Sequence, residues 1–434
     1  MSNLQTILVS VFIASFVFAV LIFSGLINIG GSSGGTAVTG PTGRIVIWGT
    51  FSSSSLAHAF DGLADTNRSL TISYIQKDPA TYEQSLIESF ARGTGPDLFL
   101  ISPDMIIKFE PFIYKLPFAS YPQKTFTDSF IDGASVYLSP DGTIGLPVAV
   151  DPLVMYYNKD ILSNEGIAQP PVYWDELSDV NSRLTKARND GTITRSMIAL
   201  GRFDNITNAK DILATMLMQN GDNIVNRTSS GYTPVLNTGN ILTGPDNQIT
   251  LYTQFSDPSN GMYSWNSALP KSLDYFTGGK MALYLGRASE LFKIQSTNPN
   301  LNFDVSEMLE TRNTTAKRTY GEIYALAVNK NSKNLASAFG AAGLISSGDN
   351  AKSLASSLSL PPVLKSLLST HPENPYMLTF FNSAIFTRTW LDPDSNSTDA
   401  IFSELIDNVI SNKLSIGGAL SKAQNQLELL ISSK

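Results

Sequence analysis

This sequence lacks the residues that most metal centres and all thiol enzymes require. It has no cysteine among 434 residues, which excludes disulfides, iron–sulfur clusters, cysteine-bound zinc and thiol nucleophiles. It has only two histidines, His58 and His371, so a three-histidine metal site is impossible and no HExxH motif occurs. Charged residues make up 15 % of the chain, with 37 acids against 30 bases and no basic block. We therefore expect no metal, no cofactor and no nucleic-acid partner.

The first thirty residues carry a long apolar run instead. Ile7–Ile29 reads ILVSVFIASFVFAVLIFSGLINI, which at about 1.5 Å per residue spans the roughly 30 Å hydrocarbon layer of a bilayer. The alternative is a cleaved signal peptide, but the first basic residue is Arg44, so the basic region of a signal peptide is missing. We predict an uncleaved transmembrane anchor over residues 1–30, followed by a flexible Gly/Ser-rich linker over 31–43.

The soluble body begins with the pattern of a parallel sheet. Arg44–Gly49, Leu70–Gln76 and Asp97–Ser102 are short runs of strand-forming residues, and the two segments between them repeat apolar residues at helical spacing. This order predicts a β-α-β-α-β unit with right-handed crossovers. Ligands of open α/β sheets gather outside the carboxyl ends of the strands, so residues after these strands are candidate contacts.

The second half of the chain is predicted to be more helical. Helical periodicity appears in four segments, Asp211–Gln219, Leu335–Leu344, Ala400–Ile410 and Ile416–Ile431. The stretch Ser229–Asn247 is rich in glycine, threonine, asparagine and proline, which predicts a long surface loop.

Five blocks of the body resemble a known family. Gly145–Asp160 (GLPVAVDPLVMYYNKD), followed by Gly166–Leu177 (GIAQPPVYWDEL), closely resembles a block of the extracellular solute-binding proteins of ABC importers, the maltose-binding-like family. Other stretches fit the family's block order: ARGTGPDLFLIS at Ala91–Ser102, FTGGKMALYLG at Phe276–Gly286, YGEIYALAVNKNSKNLASAFGAAGLISS at Tyr320–Ser347, and ALSKAQNQL near the C-terminus. The resemblance covers nearly all of Arg44–Lys434.

The resemblance implies an α/β, two-lobed periplasmic-binding-protein-like fold of type II, preceded here by one transmembrane helix. Lobe 1 would comprise residues 44–149 with 320–375, and lobe 2 residues 150–319 with 376–434. The implied function is capture of a small solute, with a saccharide favoured, and its delivery to an ABC permease. The protein would be a single-pass cell-membrane protein with its body on the extracytoplasmic side.

The family's cleft positions imply a set of ligand contacts. Carried over to this sequence they are Phe51, Ser52, Ser53, Ser102, Asp104, Asp151, Arg202, Asn205, Arg287, Glu322 and Trp390. Several have a purely structural alternative: Asp104 can cap a helix, Asp151 can form a turn before Pro152, and Arg287 can pair with Glu290 on a helix face. From the residues alone these alternatives stay open.

Two other functions compete with solute delivery. Asp104 and Asp151 are a carboxylate pair that in principle suits acid and base catalysis of glycoside cleavage, although we predict no enzyme. The third hypothesis is an anchored adhesin or sensory ectodomain with the same fold. Direct signalling is disfavoured because only about six residues precede the apolar run.

Overall fold

The structure is a computed structural model. The residues it describes are 41–221, 223–229, 231–237, 244–314 and 316–434. The predicted anchor at Ile7–Ile29 and most of the predicted linker lie outside the described residues. Among the described residues, no helix is both long enough and apolar enough to cross a membrane.

The described chain alternates short strands with helices. The strands are β1 Gly43–Gly49, β2 Leu70–Gln76, β3 Leu98–Ile101, β4 Leu138–Ser139, β5 Gly142–Thr143, β6 Leu146–Asn158, β7 Lys186–Ala187, β8 Ile193–Ile198, β9 Val225–Thr228, β10 Gly231–Pro234, β11 Met281–Arg287, β12 Phe303–Ser306, β13 Thr319–Val328 and β14 Thr387–Arg388. The helices are α1 Ser53–Thr66, α2 Tyr82–Ala91, α3 Ile106–Phe109, α4 Gln123–Ser129, α5 Lys159–Asn164, α6 Leu177–Leu184, α7 Ala209–Gln219, α8 Pro245–Thr253, α9 Ser272–Thr277, α10 Leu291–Thr297, α11 Leu335–Ile345, α12 Gly348–Leu358, α13 Lys365–Leu368, α14 Pro375–Phe386, α15 Ser395–Ile410 and α16 Ile416–Ser432.

The predicted β-α-β-α-β start is confirmed. Strand β1 pairs in parallel with β2 on one side and with β3 on the other. Ile45 and Ile47 of β1 are fully buried, and all four residues of β3 are buried, as expected when helices cover both faces of a sheet. The carboxyl ends of β1 and β3 therefore lie at the same edge of the sheet.

Two long strands carry the sheet from one lobe into the other. Lobe 1 contains the strand order β2-β1-β3-β13-β6, and lobe 2 continues it as β6-β11-β8-β7, with β12 also beside β6. The first half of β6 pairs with β13, and its second half pairs with β11 and β12. The two lobes are thus joined by continuous strands, while the bounds given above for each lobe stay a prediction.

We call the paired strands β6 and β13 the crossover, and one of their residue pairs consists of a glycine and a proline. Gly321 of β13 lies opposite Pro152 of β6. Proline has no backbone N–H to donate. A Cβ atom at Gly321 would lie 2.6 Å from the Thr387 Cγ2 atom and 3.0 Å from the Pro152 Cα atom, so only glycine fits between β6 and the neighbouring strand β14.

All four helices predicted for the second half of the chain are present in the structure. The four periodic segments correspond to α7, α11, α15 and α16. The prediction of a continuous loop over Ser229–Asn247 is wrong, because β10 forms a hairpin with β9 and α8 begins at Pro245. Helix α7 is buried along its whole length, so its first residues lie inside the protein rather than at its surface.

Candidate ligand-binding site

Two acidic residues lie face to face where the lobes join. Glu322 of β13 is the register partner of Asp151 on β6, so both side chains project from the same face of the sheet. Asp151 is 2 % exposed and Glu322 is 9 % exposed. The Asp151 Oδ1 atom accepts a hydrogen bond from the Ser289 backbone N–H at 2.9 Å, and the Tyr320 hydroxyl donates to the Glu322 carboxyl at 3.2 Å. Asp151 is therefore part of a strand, and the alternative of a turn is wrong.

Arg287 connects this pair to lobe 2. It ends β11, and its Nε donates to the Asp211 carboxylate at 2.7 Å, while its Nη1 atom lies 3.4 Å from the Glu322 Oε2 atom. The alternative pairing with Glu290 is wrong, because the Glu290 carboxylate instead accepts hydrogen bonds from Tyr284 and Asn208. Arg287 thus lies between the first turn of α7 and the crossover strand β13.

Burial determines the protonation of the acidic pair. Burial raises the pKa of Glu322 to about 8, and the nearby Arg287 charge lowers it by less than burial raises it. Burial likewise raises the pKa of Asp151, against the opposing effects of Arg287 and the Ser289 hydrogen bonds. Burial lowers the pKa of Arg287, but Asp211 and Glu322 outweigh it and raise the pKa. The raised pKa of Glu322 favours its protonated form, which can donate a hydrogen bond to an uncharged ligand.

Lobe 1 contributes Ser102 and Asp104 to the same region. Both follow β3, and the Ser102 hydroxyl donates to the Asp104 carboxylate. Asp104 lies in the first turn of the short 3₁₀ helix Pro103–Met105, at which Ser102 is the N-cap residue. The charge of Asp104 also raises the pKa of Glu322, which places Asp104 within electrostatic range of the crossover.

The residues after β1 form a second part of the lobe 1 surface. The Phe51 ring packs edge-on against the Tyr324 ring, with centroids 4.9 Å apart. Ser52 and Ser53 are exposed, and Ser53 donates from both its N–H and its hydroxyl to the Gln76 side chain. Since Tyr324 is two residues from Glu322 on β13, Phe51 lies on the sheet edge beside the acidic pair.

On the lobe 2 side a polar cavity of about 590 Å³ reaches Arg287. Such a volume is in the usual range of small-molecule sites. Its wall includes the start of α7, the aromatic ring of Phe203 and charged side chains of both signs. These charged residues are Asp204, Lys210, Asp211, Lys271, Asp274, Arg287, Lys293 and Asp399.

Two predicted ligand contacts have structural roles instead. The Asn205 amide donates to the Asn266 and Leu269 carbonyls and accepts from the Trp265 indole N–H, so its hydrogen-bonding groups are used inside lobe 2. Trp390 is 5 % exposed, and its ring packs against Phe402 of α15. Neither residue lines the cavity, and their contact with a ligand stays a prediction that these structural roles disfavour.

Arg202 is a less direct neighbour of the site. Its Nε lies 3.3 Å from the Asp204 carboxylate, and its carbonyl accepts a hydrogen bond from Tyr252. Arg202 itself is absent from the cavity wall, whereas the next two residues, Phe203 and Asp204, line it. Strand β8 ends at Ile198, and the segment after it leads into the cavity.

Sequence reasoning missed Asp211 and Lys210. Asp211 is the acidic partner of Arg287, and the Lys210 ammonium bonds to Asp392, Ser395 and Thr398, which ties α7 to the start of α15. One feature of the sequence could have indicated them: Lys210 and Asp211 are two charged residues at the start of a helix whose other residues are mostly apolar. Among the residues that the structure describes, no group of acids and histidines is arranged to hold a metal ion.

The family described as bacterial extracellular solute-binding protein matches residues 56–375, which is most of this chain. A protein of Brucella abortus named as a binding protein is 39 % identical over 98 residues, covering 22 % of this chain and 23 % of the relative. The aligned part therefore spans less than a quarter of that relative.

Solved structures match over nearly the whole described body. The cyclic α-maltosyl-1,6-maltose binding protein from Arthrobacter globiformis has a TM-score of 0.74 at 16 % identity, covering 91 % of this chain and 100 % of that one. A cyclo/maltodextrin-binding protein complexed with maltotetraose has a TM-score of 0.72 at 14 % identity, covering 90 % of this chain and 97 % of that one. These matches confirm the two-lobed, periplasmic-binding-protein-like α/β fold.

Proposed function

The chain belongs to the bacterial extracellular solute-binding proteins, and from this membership we propose that it captures a saccharide between its lobes and delivers it to an ABC permease. Proteins of this family bind solutes and are not enzymes, which confirms the prediction that this chain is not an enzyme. We also propose that Ile7–Ile29 anchors the protein in the cell membrane, with the body on the extracytoplasmic side.

The observation that carries the saccharide proposal is the meeting of complementary polar groups from both lobes. Glu322, whose pKa is raised by burial, can donate a hydrogen bond from its protonated form, Asp104 is an acceptor from lobe 1, and Arg287 is a donor from lobe 2. Sugar hydroxyls are both donors and acceptors, so they can satisfy all three groups. Phe51 and Phe203 border this region and offer apolar faces for the C–H side of a sugar ring.

The relatives support a saccharide over other solutes. The two solved structures with the same fold are described as binding cyclic maltosyl-maltose and maltodextrins. Their identities of 16 % and 14 % are low, so we extend the ligand class to this chain as a proposal, and the particular sugar is to be found by experiment.

Thermal unfolding in the presence of candidate sugars tests this function. A ligand that binds only the folded state stabilises it by about 2.7 kcal/mol at a hundred times its Kd. We expect maltotetraose, the cyclic maltosyl-maltose tetrasaccharide or a related oligosaccharide to raise Tm with saturation. A nonspecific solute effect would grow with sugar concentration without saturating. If no saccharide gives a saturating rise while an amino acid or peptide does, the saccharide proposal is wrong and the solute class changes.

A further inference from the structure

The base of the hairpin formed by β9 and β10 is attached to lobe 2. At the open end of the hairpin the Val235 N–H donates to the Ile224 carbonyl at 2.9 Å. Directly after it, Asn237 hydrogen-bonds to Ser421 and Gln424 on α16. Helix α16 packs against α8 and α15 of the same lobe, so the base of the hairpin is fixed to lobe 2.

The same hairpin reaches lobe 1 through two side chains. Tyr232 of β10 donates its hydroxyl hydrogen bond to the Glu110 carboxylate, and the Arg227 guanidinium of β9 donates to the Leu138 carbonyl. Arg227 and Tyr232 are register partners across the hairpin, with the guanidinium 5.4 Å from the ring centroid. The hairpin itself therefore holds both side chains side by side for these contacts.

The receiving surface on lobe 1 is held in place independently of the hairpin. The Lys115 ammonium lies 2.7 Å from the other Glu110 oxygen. Burial raises the pKa of Glu110, but the hydrogen bonds from Lys115 and Tyr232 and the charge of Arg227 outweigh burial and lower the pKa. Glu110 is thus ionised near neutral pH, and its bond from Tyr232 is charge-assisted.

The Glu110 contact lies toward the far end of the crossover strand β13. The Tyr114 N–H, four residues beyond Glu110, donates to the Val328 carbonyl at the far end of β13. Val328 is separated from the crossover residue Gly321 by roughly 20 Å of strand, at about 3.3 Å per residue. The Tyr232–Glu110 bond therefore resists lobe opening at a distance from Gly321, whereas the Leu138 contact is closer to it, since the hydroxyl of the preceding Tyr137 donates to the Ile323 carbonyl.

We propose that β9 and β10 act as a strap that holds lobe 2 against lobe 1 in the absence of ligand. The strap spans the lobes through Arg227 and Tyr232, and opening requires both of their contacts with lobe 1 to break. A protein already biased toward closure loses less of its binding free energy to closing, so its ligand binds more tightly and leaves more slowly. This inference concerns the resting conformation and holds whichever solute the site takes.

The distance between two spin labels on the full chain in detergent tests the strap. Because the chain has no cysteine, Asp61→Cys on α1 and Asp179→Cys on α6 provide one unique label on each lobe. Without any ligand, we expect the chain carrying only these labels to give one narrow distance distribution. Tyr232→Phe and Arg227→Ala should each raise the long-distance population about tenfold, because each removes one hydrogen bond between the lobes.

Tyr263→Phe is the matched control. It removes a hydroxyl that is half-buried and bonded to Asn266 within lobe 2 alone, so we expect no change in the distance distribution. Thermal unfolding of each variant shows whether the fold is intact. If the Tyr232→Phe variant is folded and its distance distribution is that of the labelled parent, the strap does not hold the lobes and the inference is wrong.

Discussion

Asp151 and Glu322 face each other across neighbouring strands at the junction of the lobes, and both carboxyl groups are buried. A buried carboxyl group is stable only when it holds a proton or when a cation or hydrogen bonds offset its charge. Arg287 is 3.4 Å from Glu322 and also serves Asp211, so it only partly offsets the pair. The site is consequently sensitive to pH and to any substitution that removes one of these groups.

Stability should fall as pH rises from about 5 to 8. The folded-state pKa of Glu322 is about 8, well above its ordinary value of 4.5, so the folded state binds this proton more tightly than the unfolded chain does. This contribution to the free energy of unfolding is complete below about pH 4.5 and is lost as pH rises through 8. Glu322→Gln cannot ionise, so we expect its Tm to decline less over this interval.

Urea unfolding at several pH values measures this difference. Glu310 and Asp392, with pKa values raised by burial to about 7 and about 6, act in the same direction and keep part of the decline in the variant. Glu428→Gln, on the exposed face of α16, is the control and should retain the full decline. Identical pH profiles for the Glu322→Gln variant and the unaltered chain would show that Glu322 is ionised in the folded protein.

Asp104→Ala should weaken sugar binding without much effect on folding. Asp104 is half-buried and accepts a hydrogen bond from the Ser102 hydroxyl two residues earlier, so its loss leaves the core unchanged. Removing a charged hydrogen-bond partner of a ligand costs about 1–3 kcal/mol, or roughly ten- to a hundredfold in Kd. Calorimetric titration with the sugar that raises Tm measures the effect. Asp128→Ala, which breaks only an exposed helix ion pair with Lys124, should bind normally.

Trp390→Ala should have the opposite effect: it should lower the stability of the fold and leave sugar binding nearly unchanged. Trp390 packs in the lobe 2 core against Phe402, so truncation leaves a cavity and lowers the free energy of unfolding by about 3–5 kcal/mol. At a temperature where the variant is folded, its Kd for the sugar should change less than twofold. A tenfold loss of affinity with little loss of stability would return Trp390 to the binding site.

The anchor proposal makes a prediction about cell fractionation. If Ile7–Ile29 spans the membrane, the full-length protein should remain with membranes after alkaline carbonate extraction. A chain with Ile7–Ile29 replaced by a cleavable signal peptide is the control and should be released in soluble form. A soluble natural protein with a new N-terminus near Gly30 would mean that the apolar run is a signal peptide.

The elements that could be predicted from the sequence are those determined by local pattern. Strands β1 to β3 are short apolar runs bounded by breakers, and α7, α11, α15 and α16 repeat apolar residues at helical spacing. The crossover strands β6 and β13 could be predicted only from the order of the family's sequence blocks, because no local pattern indicates them. The block order also indicates Asp151, Glu322 and Arg287 as ligand contacts. In the structure Glu322 is the register partner of Asp151, and its Oε2 atom lies 3.4 Å from the Arg287 Nη1 atom, while their contact with a ligand stays a prediction.

The errors come from contacts made by distant parts of the chain. The β9–β10 hairpin lies in a polar stretch that reads as a loop, and its strands of four residues are stabilised by contacts with Glu110 and α16. Trp390 precedes a polar loop and reads as exposed, yet α15 covers it. Asn205 is a polar residue near the site whose amide is saturated by a loop about sixty residues later. None of these partners is adjacent in sequence.

The pair formed by Gly321 and Pro152 lies where the lobes join and affects how they can move relative to each other. At this rung Pro152 offers no N–H and Gly321 adds no side chain, and the pairing of β6 with β13 ends here. Beyond it β6 pairs with β11 and β12, and β13 pairs with β14. Because the ladder that joins the lobes ends at this rung, we expect bending between them to concentrate there. A ligand that contacts both lobes then selects the bend angle at which it fits.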